Sequence, residues 1–178
     1  MGMDKAMVEI DGKAMISRVV DALARAGLEP IRIAVAKSSD VEKYGSLLSR
    51  DLEVEWVLDG KTYAGPIDAL EEALADPRLE GINTLQLAPV DCPWVTEELF
   101  ASLEESLPEG DALIMPHDGE RPHPLLALIR PGLVLEIISG DRRPLHVQFS
   151  EAKHSILLED PGALRNVNYP EDLERNSS

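Results

Sequence analysis

Leu85-Gln86-Leu87-Ala88-Pro89-Val90 is an apolar run that stops at Asp91-Cys92-Pro93-Trp94. A short apolar run bounded by polar segments reads as a buried strand, here running to Val90. In open α/β sheets ligands gather beyond the carboxyl ends of the strands. Asp91 therefore reads either as a metal- or phosphate-site carboxylate or as an aspartate that opens a strand-exit turn before Pro93. The flanking segments must decide between the two.

Upstream, helix-like and strand-like segments alternate to about Pro116, the pattern of βαβ units around a mostly parallel sheet. Met15, Val19, Val20, Leu23 and Ala26 recur at helical spacing over Ala14 to Ala26, and Gly27 closes that helix. Ile31 to Ala36 reads as a strand, Asp40 to Leu48 as a short helix, and Val54 to Leu58 as a strand that ends in Asp59-Gly60. Asp59 is thus a second carboxylate at a strand exit. Gly65-Pro66 opens a helix through Ala75, because proline suits the first helical position, and Ile67, Leu70, Ala73 and Leu74 supply its buried face. Thr96 is the expected N-cap of a helix ending near Leu107, with Glu97 and Glu98 in the first turn.

Downstream, Ala112 to Met115 and Leu125 to Ile129 read as two strands joined by the polar link Pro116 to Pro124. Pro131 starts a helix to Ser139, which Gly140-Asp141-Arg142-Arg143-Pro144 breaks, and Ser155 to Leu158 is a last short strand. The chain has 178 residues, enough for one domain spanning 1–178 with a substantial core. Hydrophobic residues at 44% and charged residues at 28% are ordinary for a folded globular protein. Every apolar stretch falls short of the ~20 residues of a membrane helix, and no basic segment leads an apolar one at the start, so a cytoplasmic location away from membranes is expected. A formal net charge of −16 argues against a nucleic-acid partner. Cys92 is the single cysteine, which excludes an intramolecular disulfide, and no Cys/His spacing suggests zinc.

Several polar residues admit a chemical or a structural reading. Lys5 is the one cation of the opening segment and reads equally as a solvated terminal lysine. Arg121 and His123 lie in the charged link, where loops often hold binding residues. Arg142 and Arg143 follow a helix end, where a capping role competes with substrate binding. Asn166 and Asn168 flank one valine and share a side if extended. No Gly-x-Ser-x-Gly elbow and no Gly-x-x-x-x-Gly-Lys-Ser/Thr loop is present, so those hydrolase and P-loop classes drop out.

Together these pieces resemble one family, the molybdenum cofactor guanylyltransferases (MobA) of the nucleotidyltransferase group. The matching elements are Met1-Gly2-x-Asp4-Lys5 followed by Gly12-Lys13, Asp59 before Gly65-Pro66, and Asp91-x-Pro93. His117-Asp118-Gly119-Glu120-Arg121-x-His123-Pro124 and Asn166-Val167-Asn168-x-Pro170-Glu171-Asp172-Leu173 complete the series, in family order across nearly the whole chain. The resemblance implies a Rossmann-like three-layer α/β fold with a mostly parallel sheet of the nucleotidyltransferase type. It also implies transfer of GMP from GTP to the phosphate of molybdopterin, with release of pyrophosphate and handover of the product to molybdoenzyme-maturation proteins.

Residue roles follow from the same likeness. Lys5 and Asp91 would be catalytic, with Asp91 holding Mg²⁺, which takes one or two carboxylates and keeps most of its waters. Gly2, Asp59, Gly65 and Pro66 would bind the nucleotide alongside them. Arg121, His123, Asn166 and Asn168 would face the acceptor.

Two departures qualify the likeness. Family members carry a hydrophobic strand and a Gly-Gly phosphate loop before Met-Gly, and this chain starts after them, so a sheet lacking its first strand, exposed ladder edges and weakened nucleotide binding are expected. Where the family tends to place an asparagine near the base, this chain reads Ala34-Val35-Ala36-Lys37-Ser38, which leaves guanine preference unsupported there. A cytidylyltransferase or sugar nucleotidyltransferase of the same fold, a non-catalytic scaffold relative and a nucleotide-sugar glycosyltransferase remain as alternatives.

Overall fold

The computed structural model describes residues 4–58, 65–169 and 171–174. A 3-10 turn, Lys5–Met7, leads into an antiparallel hairpin of β1 (Glu9–Ile10) and β2 (Lys13–Ala14). Helix α1 (Met15–Arg25) buries Met15, Ile16, Val19, Val20 and Ala22, as its spacing predicts. Gly27 sits at φ 73°, and Leu28 N–H reaches back to the Leu23 carbonyl at 3.1 Å, so a left-handed residue closes the helix.

Strand β3 (Ile31–Val35), helix α2 (Ser38–Gly45) and strand β4 (Val54–Leu58) form a crossover unit in which β3 and β4 pair in parallel, Ile31 opposite Val54. Helix α3 (Pro66–Leu74) has proline in its first turn, and Gly65 N–H donates to the Asp68 carboxylate at 3.3 Å. A second sheet contains β5 (Leu85–Gln86), β6 (Leu113–His117), β7 (Leu128–Ile129) and β8 (His154–Leu158) in the spatial order β5-β7-β6-β8. Its helices are α4 (Glu97–Ser106), α5 (Pro131–Ile138) and α6 (Leu145–Glu151), and a short α7 (Glu171–Glu174) follows. Strands β6 and β8 are parallel, whereas β7 is antiparallel to both of its neighbours. Among the described residues β3 and β5 each have one hydrogen-bonded strand neighbour, so the two sheets stay separate.

Alternation along β6 makes the layers. Ile114 points into a core with Val19 and Ala22 of α1 and Leu99, Phe100 and Leu103 of α4. Leu113 and Met115 point the other way, into Leu70 and Leu74 of α3, Val134 and Ile138 of α5, and Leu145 and Phe149 of α6. Helices cover both faces of a mixed sheet in which β5, β6 and β8 run the same way and β7 runs against them, a three-layer α/β plan. Phe100 and Phe149 are fully buried and each contributes roughly 1.5–3 kcal/mol of apolar burial.

Three expectations change. The run from Leu85 to Val90 is a strand only over Leu85–Gln86, with one further ladder bond from Leu87 N–H to the Ala127 carbonyl at 3.0 Å. Pro89 has no N–H with which to continue it. Leu125 to Ile129 begins as a 3-10 turn, Pro124–Leu126, before the two residues of β7. Helix α6 fills a segment that the sequence reading leaves unassigned between the break at Gly140 to Pro144 and the strand from Ser155. No helix among the described residues is long and apolar enough to cross a membrane.

Candidate active site

Asp91 stands where the ladder gives way to a turn. Cys92 N–H bonds the Pro89 carbonyl at 3.3 Å, and Val95 N–H bonds the Cys92 carbonyl at 3.4 Å. Cys92 plugs this turn into the core beside Val19 and Leu99, which leaves Asp91 half-buried at the rim. The Asp91 main-chain carbonyl accepts from Val167 N–H at 2.8 Å. Burial, reinforced by the Asp91 charge and opposed by that of Arg121, pushes the Cys92 thiol up to about 12. Cys92 therefore stays protonated at neutral pH and donates to Asn166 Oδ1, 3.2 Å away.

Lys5 reaches the same strip of chain from the other terminus. Asp4 caps the turn Lys5–Met7 by accepting from Ala6 N–H at 3.1 Å, while Ala6 packs against Ala14, Ile16, Val20 and Ile31. The Asp4 carboxylate also takes Tyr44 Oη at 2.8 Å and the Lys43 ammonium, both on α2. Burial would raise its pKa, but these partners outweigh that and hold it below the usual carboxylate range. From the turn so anchored, Lys5 Nζ donates to Asn168 Oδ1 at 2.8 Å. Residues 166–168 thus touch Lys5 and the Asp91 turn at once, and the structure brings Lys5, Asp91, Asn166 and Asn168 together. Asp172 in turn fixes this strip, accepting from Asn168 N–H at 2.8 Å and Tyr169 N–H at 2.9 Å.

Arg18 is a member of this cluster that sequence reading missed. From α1 its Nε donates to the Pro93 carbonyl at 3.2 Å and a terminal nitrogen donates to the Ile10 carbonyl at 3.2 Å, so it joins the Asp91 turn to the β1–β2 hairpin. Its place three residues after Met15, at the margin of the apolar stripe, was the available signal, since a cation there must find acceptors.

The polar link is tighter than its composition suggests. His117 bridges Pro122, Asp118 N–H bonds the Arg121 carbonyl at 3.2 Å, and Gly119 takes φ 94° in the turn. Asp118 Oδ1 accepts from Glu120 N–H at 2.9 Å and Arg121 N–H at 2.8 Å, and Oδ2 meets His123 Nε2 at 2.9 Å. Burial opposes ionisation of Asp118, yet His123 and the two amides hold its carboxyl well below the ordinary range. His123 is only 7% exposed, and its ring braces the link through Asp118. Arg121 is exposed, 3.6 Å from Asp118, and near enough for its charge to act on the Cys92 thiol.

Gly65 and Pro66 are exposed at the start of α3, and among the described residues no hydrogen bond or ion pair joins them to the Lys5–Asp91 cluster. Gly2 and Asp59 lie outside the described residues. Arg142 and Arg143 are committed to surface ion pairs, with Asp68 and Glu71 and with Asp141 and Glu151 respectively. An open groove between α2 and β4, lined by Pro30, Gly45, Leu48 and Trp56, involves none of the expected site residues.

The Asp91 carboxylate meets only the Cys92 thiol, at 3.9 Å, and has no cation in ion-pair range among the described residues. Nor do those residues contain any group of three or more His, Cys, Asp or Glu able to hold a metal. Among the described residues Asp91 stands outside any such group, a donor set of the size magnesium uses, since that ion is held by one or two carboxylates plus substrate phosphates.

Residues 1–150 match the model of the family described as the MobA-like NTP transferase domain. A molybdenum cofactor guanylyltransferase of Shewanella sp. (strain ANA-3) is 29% identical over 98% of this chain and 86% of that protein. Its counterpart in Photobacterium profundum is 26% identical over 98% of this chain and 87% of its own. Among solved structures, molybdopterin-guanine dinucleotide biosynthesis protein A from Archaeoglobus fulgidus superposes with a TM-score of 0.68 at 24% identity, over 98% of this chain and 89% of that one. A nucleotidyl transferase from Methanothermobacter superposes with a TM-score of 0.78 at 16% identity, over 97% and 83% of the two chains. Those two likenesses concern the fold.

Proposed function

Because the chain belongs to the MobA-like NTP transferase family and is therefore a nucleotidyltransferase, we propose that it transfers GMP from GTP to the phosphate of molybdopterin. An oxygen of the acceptor phosphate attacks the α-phosphorus in line. The new O–P bond forms as the bond to the bridging oxygen of the β-phosphate breaks, and that electron pair leaves with pyrophosphate. Donor and acceptor are both anionic, so the reaction needs fixed positive charge around the transferring phosphorus.

Lys5 supplies part of it. One proton of its ammonium is engaged by Asn168, which aims the group and leaves two donors for the triphosphate. Asp91 would hold Mg²⁺, which when bound neutralises phosphate charge and favours the leaving pyrophosphate. Arg121 offers an exposed cation to the acceptor phosphate, with its turn fixed by Asp118 and His123. In this reading Asn166 and Asn168 would serve the acceptor, and Gly2, Asp59, Gly65 and Pro66 would serve the nucleotide. With GTP as donor the reaction belongs in the cytoplasm.

The observation that carries this reading is the double engagement of residues 166–168, with Asn168 on Lys5 and Val167 on the Asp91 carbonyl, each at 2.8 Å. An ammonium and a carboxylate-bearing turn distant in sequence are thereby held to one short strip. Incubation of the chain with GTP, Mg²⁺ and molybdopterin should release pyrophosphate and form the guanine dinucleotide, with CTP a poorer donor. Absence of product, together with no Mg²⁺-dependent rise in Tm at millimolar GTP or CTP, would refute it.

A further inference from the structure

We propose that β8 is a self-pairing edge through which two copies of this chain form a two-fold dimer, extending the second sheet across the axis. Among the described residues β8 has one strand neighbour, β6. The Lys153 carbonyl accepts from Ala112 N–H at 2.8 Å, and Glu159 N–H donates to the His117 carbonyl at 3.0 Å, so the odd-numbered residues turn their main-chain groups toward β6. Alternation then turns the N–H and C=O groups of His154, Ile156 and Leu158 to the open edge. Natural edge strands are usually blunted by charge, proline or a covering element. Here two of these three residues carry bare apolar side chains, Ile156 at 50% and Leu158 at 75% exposure, while His154 is half-buried.

The sequence of this edge is complementary to itself in one antiparallel register. Lys153-His154-Ser155-Ile156-Leu157-Leu158-Glu159 reads as a basic end, an apolar centre and an acidic end. With a two-fold axis at Ile156, each Ile156 faces the other and exchanges both main-chain hydrogen bonds, as its outward-facing groups require. His154 of one copy lies opposite Leu158 of the second, and Lys153 of one lies opposite Glu159 of the second. The lysine side chain is 71% exposed and already leans toward Asp111 at 3.3 Å, which keeps it at the strand end. A shift of the register by two residues would lose both charge pairs and the Ile156 self-contact.

A strand-to-strand contact of five residues covers less than the ~1,600 Å² of a standard interface, so the pairing is expected to be weak, with a dissociation constant of micromolar order. Two bodies of charge −16 repel, and added salt that screens them should tighten the dimer. Sedimentation velocity from about 1 to 200 μM should show this concentration-dependent dimer in the wild-type chain.

Ile156→Lys places two ammonium groups against each other on the axis and should leave only monomer, with an unchanged far-UV circular dichroism spectrum. Glu159→Lys turns both end pairs into like charges and should raise the dissociation constant about tenfold. The double variant Lys153→Glu/Glu159→Lys restores opposite charges and should recover wild-type affinity to within about threefold, which a merely destabilised protein would not do. A wild-type monomer throughout that range overturns the proposal. So does a dimer that survives Ile156→Lys, since it would use another surface, and so does a double variant no tighter than Glu159→Lys alone.

Discussion

Asp91→Asn should separate catalysis from folding. Among the described residues the carboxylate touches a thiol alone, 3.9 Å away, whereas the bond that anchors the turn goes to the main-chain carbonyl and survives the substitution. Asparagine keeps the shape, so stability should move by less than about 0.5 kcal/mol, or about 1–2 °C in Tm for a chain of this size. Catalysis loses the charge proposed to hold Mg²⁺. Removal of one preorganised electrostatic contact with a developing charge costs about 10²–10³ in kcat, equivalent to about 2.7–4 kcal/mol. Initial rates of pyrophosphate release across a Mg²⁺ titration measure this, and the apparent Mg²⁺ requirement should rise as the rate falls. The Cys92 thiol supplies an internal check. It is pushed up to about 12 by burial first and by the Asp91 charge second, so the variant thiol should ionise at a lower pH, by thiolate absorbance, while still sitting above an exposed cysteine. A variant within about threefold of wild-type kcat/KM, with the same Mg²⁺ requirement, would refute the assignment of Asp91. A fall in Tm beyond about 5 °C would refute the claim that its carboxylate is structurally idle.

Arg18→Ala removes the donors to the Pro93 and Ile10 carbonyls, and hydrogen bonds involving a charged group contribute a net of about 1.5–3 kcal/mol each, less where the group is partly solvated. A loss of about 2–3 kcal/mol in urea unfolding is expected, with a raised Mg²⁺ requirement because the Asp91 turn loosens. A turnover profile that does not respond to Mg²⁺ differently from wild type would show that Arg18 acts on stability alone. Asp118→Ala should lower stability near neutrality and flatten its dependence on acid pH. Its folded-state pKa is depressed, so the contribution of Asp118 is fully present above the unfolded value of about 3.9 and disappears as pH falls through the folded value. The gap in Tm between wild type and variant should therefore be constant near neutrality and shrink below about pH 4, and a gap that widens on acidification would contradict the bonding described for the link.

Helices with a single apolar stripe and a clear start were legible in the sequence. α1 had its spacing and Gly27, α3 had Gly65-Pro66, and α4 had Thr96, whose hydroxyl accepts from Leu99 N–H at 3.3 Å. α6 was not legible, because Gln148 interrupts the stripe between Leu145 and Phe149. That glutamine is nonetheless buried, its amide donating to the Arg143 carbonyl, an interaction the pattern could not announce. The strand before Asp91 was over-extended because apolarity alone does not register that Pro89 lacks a ladder donor. Within the site, the place of Asp91 at the end of the apolar run was legible, and the structure leaves it half-buried there. The pairing of Lys5 with Asn168 spans 163 positions and is set by the topology that returns the last segment to the first, which no local pattern contains. The inward turn of His123 depends on where Asp118 presents its oxygen, and Arg18 required knowledge of the carbonyls that would surround it.

The strip from Asn166 to Asn168 works as a shared hinge pin, gripping the Lys5 ammonium through Asn168 and the Asp91 carbonyl through the Val167 amide. Asp172 clasps that pin by the amides of Asn168 and Tyr169, so a lesion at this remote carboxylate would slacken the lysine and the aspartate in step rather than one at a time.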